Sequence, residues 1–241
     1  MKFVVDGPER APALVLSNAL GTTLELWEPQ LPELARRFRV IRYDHRPRDS
    51  VAALAAGVLE LADALGVGRF SLCGLSLGGM VGMWLGAEAP ARVDRLVLVS
   101  TSARFGSPAE WHERAARVRA EGMEAVADDA LDKWFTPKFR ARGRYREMQL
   151  AMPPDDYAAG LEAIAGFDFR GRLGEIGAPT LVVAAAGDVA TPPEDAEQIA
   201  DGIPGARLVV LDGAAHLANV EQPAAFTTVV VDHLTRRRSA A

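Results

Sequence analysis

The apolar run Arg69-Phe70-Ser71-Leu72-Cys73 leads straight into Gly74-Leu75-Ser76-Leu77-Gly78-Gly79, and the stretch Met80-Val81-Gly82-Met83-Trp84-Leu85 follows at once. The first run predicts a buried strand and the last a buried helix, with the glycines in the turn between them. Strand and helix can approach closely across so short a turn only if residues 74 and 78 lack side chains. The turn also holds residue 76 in a strained backbone conformation. Its hydroxyl then projects outward, and the Leu77 amide sits at a helix N-terminus, where negative charge is stabilised. Strand, Gly-x-Ser-x-Gly, helix is the layout of a nucleophile elbow. Without those flanks the same pattern occurs often by chance and is only a glycine-rich turn.

Runs of similar character recur at residues 13–16, 39–43, 69–73, 95–100, 180–185 and 207–211. They are short, rich in Val, Leu and Ile, and mostly continuous rather than alternating, as strands buried on both faces of a parallel sheet are. Helical stretches at 51–65, 77–88, 193–201 and 222–237 separate them. The β-α-β rhythm predicts right-handed crossovers and an α/β fold with a mostly parallel, doubly wound sheet, whose functional groups collect at the carboxyl ends of the strands. Between Ser100 and Pro179 the rhythm stops. Trp111 and Trp134 lie there, with helical runs at 110–120 and 124–135 and no convincing strand. The expected organisation is a core formed by 1–102 and 177–241 and a helical cap, 103–176, inserted after one strand and lying over the strand ends.

A chain of 241 residues fits one such domain. Its net charge of −5 argues against nucleic acid as the main partner. The basic run Arg236-Arg237-Arg238 reads as a solvated tail. Cys73 is the only cysteine, so no intrachain disulfide is possible. Its place in a strand predicts a small buried side chain rather than a reactive thiol. No N-terminal signal pattern and no apolar run near membrane-spanning length is present, so a cytoplasmic protein without a membrane partner is expected.

A serine hydroxyl at its free pKa needs an adjacent base. The chain has four histidines. His112 falls in the cap segment, His233 in the C-terminal helix, and His45 precedes Ser76. His216 follows the strand ending at Leu211, in a loop before Glu221-Gln222-Pro223, a plausible helix start. A strand-end loop is where a general base belongs, which makes His216 the expected base. The acid should lie at another strand end between serine and histidine. Asp188, in Ala186-Gly187-Asp188-Val189-Ala190-Thr191-Pro192-Pro193, meets that condition and would hold the imidazole tautomer. The competing reading of Asp188 is a turn residue before the Pro-Pro helix start, and Asp212 is a second acid on the His216 loop itself. Two amides must receive the oxyanion of an acyl-transfer intermediate. The Leu77 N–H is one. The loop Ser17-Asn18-Ala19-Leu20-Gly21-Thr22 supplies the other, for which Leu20 is the expected donor.

These residues are similar to those of the α/β-hydrolases, and within them to the 3-oxoadipate enol-lactonases. Gly-x-Ser-x-Gly-Gly, Gly-Asp-x-x-Thr-Pro-Pro and a late Ala-His carry the general resemblance. Leu16-Ser17-Asn18-Ala19-Leu20-Gly21-Thr22, Trp27-Glu28-Pro29-Gln30-Leu31, Lys133-Trp134-Phe135-Thr136-Pro137 and His216-Leu217-Ala218-Asn219-Val220-Glu221-Gln222-Pro223 carry the narrower one. Most α/β-hydrolases have His-Gly where this chain has Asn18-Ala19. The resemblance covers nearly the whole chain. It implies the α/β-hydrolase fold and hydrolysis of 3-oxoadipate enol-lactone to 3-oxoadipate, in bacterial breakdown of protocatechuate and catechol. Two departures accompany it. After Tyr43-Asp44-His45-Arg46 the family runs through Gly-His-Gly-x-Ser and a Pro/Gly-rich loop, whereas here Pro47-Arg48-Asp49-Ser50 leads directly into a helix. The cap is also short around Arg142-Gly143-Arg144-Tyr145. With family residues absent after Arg46, one wall of the site mouth would be open.

No His/Cys cluster with metal-ligand spacing is present, and the implied chemistry needs neither metal nor organic cofactor. The implied lactone carries a carboxylate, for which Lys133 and Arg46 are candidate cations, while Trp27 and Trp134 are candidate walls of an apolar pocket. The alternatives on the same three residues are a general carboxylesterase, a cofactor-free perhydrolase and a carbon–carbon hydrolase. A hydrolase-fold binding protein without catalysis is the alternative from another class.

Overall fold

A computed structural model of the chain describes residues 1–236; Arg237 and Arg238 of the basic run lie outside the described residues. The strands are β1 (Phe3–Asp6), β2 (Ala13–Ser17), β3 (Arg39–Tyr43), β4 (Phe70–Leu75), β5 (Val93–Val99), β6 (Thr180–Ala185) and β7 (Arg207–Leu211). They form one sheet in the order β1-β3-β2-β4-β5-β6-β7, parallel throughout except for β1, which runs antiparallel to β3. The helices are α1 (Leu31–Leu34), α2 (Val51–Ala64), α3 (Leu77–Glu88), α4 (Pro108–Glu121), α5 (Glu124–Trp134), α6 (Gly143–Leu150), α7 (Pro154–Ala165), α8 (Pro193–Gly202), α9 (Ala218–Glu221) and α10 (Pro223–Thr235). The chain is thus an α/β-hydrolase fold, with the mostly parallel sheet expected from the rhythm of the sequence.

Two expectations about the strands need correction. β1 was not foreseen. It is four residues long, lies at the sheet edge, and leaves Phe3, Val4 and Val5 exposed, so it lacks the continuous buried character of the central strands. β7, the opposite edge, is not buried on both faces, since Arg207 and Val210 are exposed. In the central strands successive residues divide between the two faces, as the strand period requires. Leu14, Leu16, Val97, Val99, Leu181 and Val183 join the core under α1 and α10. Val15, Leu72, Leu96, Leu98 and Val182 join the core under α2, α3 and α8.

Between β5 and β6 lie α4 to α7, and α4 packs along α7. Val118, Val126, Tyr157, Ala158 and Leu161 form a separate apolar cluster there. Surface ion pairs such as Arg119–Glu162 decorate these helices. An exposed pair of that kind contributes roughly 0–1 kcal/mol, whereas burying one leucine contributes about 1.5–3 kcal/mol, so the apolar cluster holds the segment together.

Candidate active site

β4 delivers the chain to Ser76, and α3 begins at the next residue. Ser76 has φ 55° and ψ −114°, a conformation that costs a non-glycine residue on the order of 1–3 kcal/mol. Its surroundings hold it there. The Ser76 amide donates to the Val99 carbonyl at 2.9 Å, and its carbonyl accepts from Thr101 Oγ1 at 2.8 Å and from the Gly79 amide at 2.8 Å. A Cβ on Gly74 would lie 2.1 Å from the Gly78 carbonyl oxygen, and one on Gly78 would lie 2.1 Å from the Ser17 carbonyl oxygen. Both obstacles are backbone, so the glycines are steric requirements of the turn.

Asp188 and His216 follow β6 and β7, at the carboxyl edge of the sheet. His216 Nδ1 and Asp188 Oδ2 are 2.8 Å apart, and both residues are buried. Asp188 Oδ1 accepts from the amides of Ala190 at 2.9 Å and Thr191 at 3.0 Å, and Oδ2 accepts from Thr191 Oγ1 at 2.8 Å. Burial alone would raise the Asp188 carboxyl. The adjacent His216 and the Thr191 hydrogen bonds outweigh burial and hold it below the ordinary carboxylate value. An imidazole whose Nδ1–H donates a hydrogen bond to a carboxylate presents Nε2 as a proton acceptor. Ser76 and His216 line the same cavity, of about 540 Å³. Asp212 is exposed and takes no part in this arrangement.

The loop from 17 to 22 packs beside Ser76. The Asn18 carbonyl accepts from the Gly78 amide at 3.1 Å and from His45 Nε2 at 3.0 Å. Asn18 Nδ2 donates to the Tyr43 carbonyl at 2.8 Å. Burial lowers the His45 pKa, which keeps the ring neutral beneath the loop. Gly21 has φ 82°, and a Cβ there would meet the rings of Tyr157 at 3.1 Å and Trp134 at 3.2 Å. The loop is therefore clamped between the sheet and the helices above it, with Leu20 on the cavity wall.

The description of the Alpha/beta hydrolase family matches residues 14–229. This chain belongs to that family. The hydrolase is 33% identical to 3-oxoadipate enol-lactonase 1 of Acinetobacter baylyi, over 93% of this chain and 89% of that one. It is equally, 33%, identical to a protein of Agrobacterium fabrum named "Putative carbamate hydrolase RutD", over 97% of this chain and 98% of that one. The crystal structure of the enol-lactonase from Burkholderia xenovorans LB400 superposes with a TM-score of 0.94 at 39% identity, covering 98% of this chain and 96% of that one.

The hydrolase does not bring together every residue proposed for the pocket. Trp134 and Lys133 line the cavity with Ser76. Trp27 does not. It is fully buried against Phe226, and its indole Nε1 donates to Asn18 Oδ1 at 2.8 Å, so it supports the 17–22 loop from below. Arg46 is also elsewhere. It is exposed on the direct link from β3 to α2 and lines a neighbouring cavity of about 240 Å³ with Arg48, Leu20 and Leu77. Among the described residues no helix is long and apolar enough to cross a membrane.

Glu221 is a site residue that sequence reasoning treated only as a helix start. Its carboxylate accepts from the Ala215 amide at 2.7 Å and from Thr136 through the amide at 3.1 Å and Oγ1 at 2.6 Å. The Leu217 amide donates to the Trp134 carbonyl at 3.0 Å. The His216 loop is thereby fastened to the segment that carries Trp134. Glu221→Gln places an amide donor among these donors, at a cost of about 1–3 kcal/mol per unmatched group. A roughly tenfold fall in kcat with little change in KM and a retained circular dichroism spectrum is expected. A kcat within twofold of the parent would remove Glu221 from any positioning role.

Proposed function

We propose that the protein is a serine hydrolase that opens a carboxylate-bearing enol-lactone, with 3-oxoadipate enol-lactone as the substrate and 3-oxoadipate as the product. The observation that carries this reading is the joint presence, on one cavity, of a serine on a strained strand–helix turn and a histidine bonded to a buried carboxylate. Ser76 Oγ attacks the lactone carbonyl while His216 Nε2 takes its proton. The amides of Leu20 and Leu77 receive the oxyanion. Collapse of the intermediate breaks the ring C–O bond. The acyl chain stays on Ser76, and the departing enolate takes a proton and becomes the ketone. A water that loses its proton to His216 then attacks the ester and releases the acid. Asp188 stabilises the imidazolium formed in each half. The 33–39% identity to enol-lactonases supports the choice of substrate class.

Hydrolysis of a carbamate on the same three residues is the second reading, supported by the relative of that name at equal identity. Steady-state kinetics on the enol-lactone, a neutral aryl ester and a carbamate decide between them. The lactone is expected to have the highest kcat/KM by at least tenfold. A higher value for the carbamate or the neutral ester would overturn the lactonase reading. Catabolism of protocatechuate and catechol is the proposed setting.

A further inference from the structure

Three cations line the cavity that holds Ser76 and His216: Arg114, Arg117 and Lys133. They are not equivalent. The Arg117 side chain is 56% exposed and pairs with Glu121, one turn along the same helix. Lys133 is 45% exposed and pairs with Asp129 at 3.2 Å. Arg114 is only 21% exposed and pairs with the same Asp129 oxygen at 2.7 Å. One carboxylate thus serves two cations, so neither Arg114 nor Lys133 has a carboxylate to itself. Glu110 and Glu113 are the other acids lining the cavity. Both are exposed, and Glu110 is engaged by the Ser107 amide at the start of α4.

Arg114 is also held in place. Its Nη2 reaches the Val126 carbonyl at 3.5 Å, and the guanidinium lies against the Tyr157 hydroxyl, which lines the same cavity. Burial raises the Tyr157 phenol while Arg114 opposes the rise, so at neutral pH the group is a protonated donor. A guanidinium has five donors in a planar fork suited to a carboxylate, and Asp129 and Val126 do not use them all. Partial burial strengthens such a charge-assisted bond relative to one at the rim.

We propose that Arg114, with the Tyr157 hydroxyl and the charge of Lys133, forms a subsite for the carboxylate of an anionic acyl substrate. This rests on the reading of Ser76 as the acyl-transfer nucleophile and names the residue that makes that site prefer anions. Arg46 and Arg48 have no partner among the described residues, but both are exposed and line the neighbouring cavity, not the one with Ser76.

The test compares kcat/KM for two p-nitrophenyl esters of similar length, a glutarate monoester that keeps its free carboxylate and the neutral butyrate. The quantity read is the anionic-to-neutral ratio. Arg114→Gln is expected to lower the ratio 10- to 100-fold, mainly through KM for the anion. Arg114→Lys is expected to recover part of it. Asp129→Asn is expected to raise it severalfold, because it removes the competing carboxylate; that opposite sign keeps the test decisive should Arg114→Gln fail to fold. Arg46→Gln is expected to change it less than twofold. A ratio within twofold of the parent in Arg114→Gln, a fall in Asp129→Asn, or an equal fall in Arg46→Gln would overturn the proposal while leaving the Ser76 reading intact. A parent protein that hydrolyses neither ester would overturn both.

Discussion

Ser76→Ala is expected to lower kcat by roughly four to six orders of magnitude while leaving the fold intact. The size follows from the way the three residues act as a unit: without the hydroxyl, the His216–Asp188 pair has no proton to accept and no acyl-enzyme forms. The fold survives because Ser76 is held through its backbone. The bonds to Val99, Thr101 and Gly79 use its amide and carbonyl, and alanine keeps them all. Alanine also keeps the unfavourable φ of 55°. Ser76→Gly relieves it and is therefore expected to melt at a higher temperature than Ser76→Ala, by the equivalent of about 1 kcal/mol. Thermal melts of the two variants, read beside their turnover, separate the chemical role of the residue from its backbone cost. A kcat within tenfold of the parent in Ser76→Ala would end the serine-hydrolase reading.

Asp188→Asn is expected to lower kcat by about four orders of magnitude, although it changes only one atom. Oδ1 faces the amides of Ala190 and Thr191, both donors, so the asparagine oxygen must stay there. The asparagine Nδ2 then faces His216 Nδ1 and donates to it. That bond selects the tautomer with the proton on Nε2, which cannot accept a proton from Ser76. The variant also loses stability with a defined pH dependence. In the folded protein the Asp188 carboxyl lies below its ordinary value. Its contribution is therefore complete above the unfolded-state pKa and is lost as the pH falls through the folded-state value. Urea midpoints of parent and variant should differ most at neutral pH and converge on acidification. A gap that widens in acid would contradict the assignment of a depressed carboxyl.

What could be read in the chain beforehand was whatever local pattern determines. The elbow was legible because a glycine must stand wherever a side chain would strike backbone, as at Gly74 and Gly78. Asp188 and His216 could be placed because both follow strands whose continuous apolar character is unmistakable. β1 is not legible because its apolar run, Phe3-Val4-Val5, is too short to stand out as a strand. Glu221 looked like a helix start, since its partner Thr136 is 85 residues away and no local pattern joins them. Arg114 sits in a helix crowded with Glu110, Glu113, Arg117 and Arg119, and only the tertiary contacts with Asp129 and Tyr157 distinguish it. Trp27 failed as a pocket wall for a related reason: its indole donor is consumed by Asn18, which sequence spacing does not reveal.

The link from β3 to α2 gives these observations a common consequence. With only residues 44–50 between the two elements, the smaller cavity beside Leu20 and Leu77 is lined by the exposed Arg46 and Arg48, while the larger cavity is lined by residues of α4, α5 and α7. Arg114, proposed to select anions, and His216, proposed to transfer the proton, line the same cavity. On the proposed reading, specificity depends on α4, α5 and α7, and the reaction depends on the strand ends.

The most direct measurement is covalent labelling. The native protein is treated with a fluorophosphonate, and the site of modification is located by mass spectrometry after digestion. One adduct per chain, on Ser76, with labelling slowed at least a hundredfold in His216→Ala, is the result expected of a serine activated by that histidine. Absence of an adduct, or an adduct on any other residue, would contradict the assignment of Ser76 as the nucleophile.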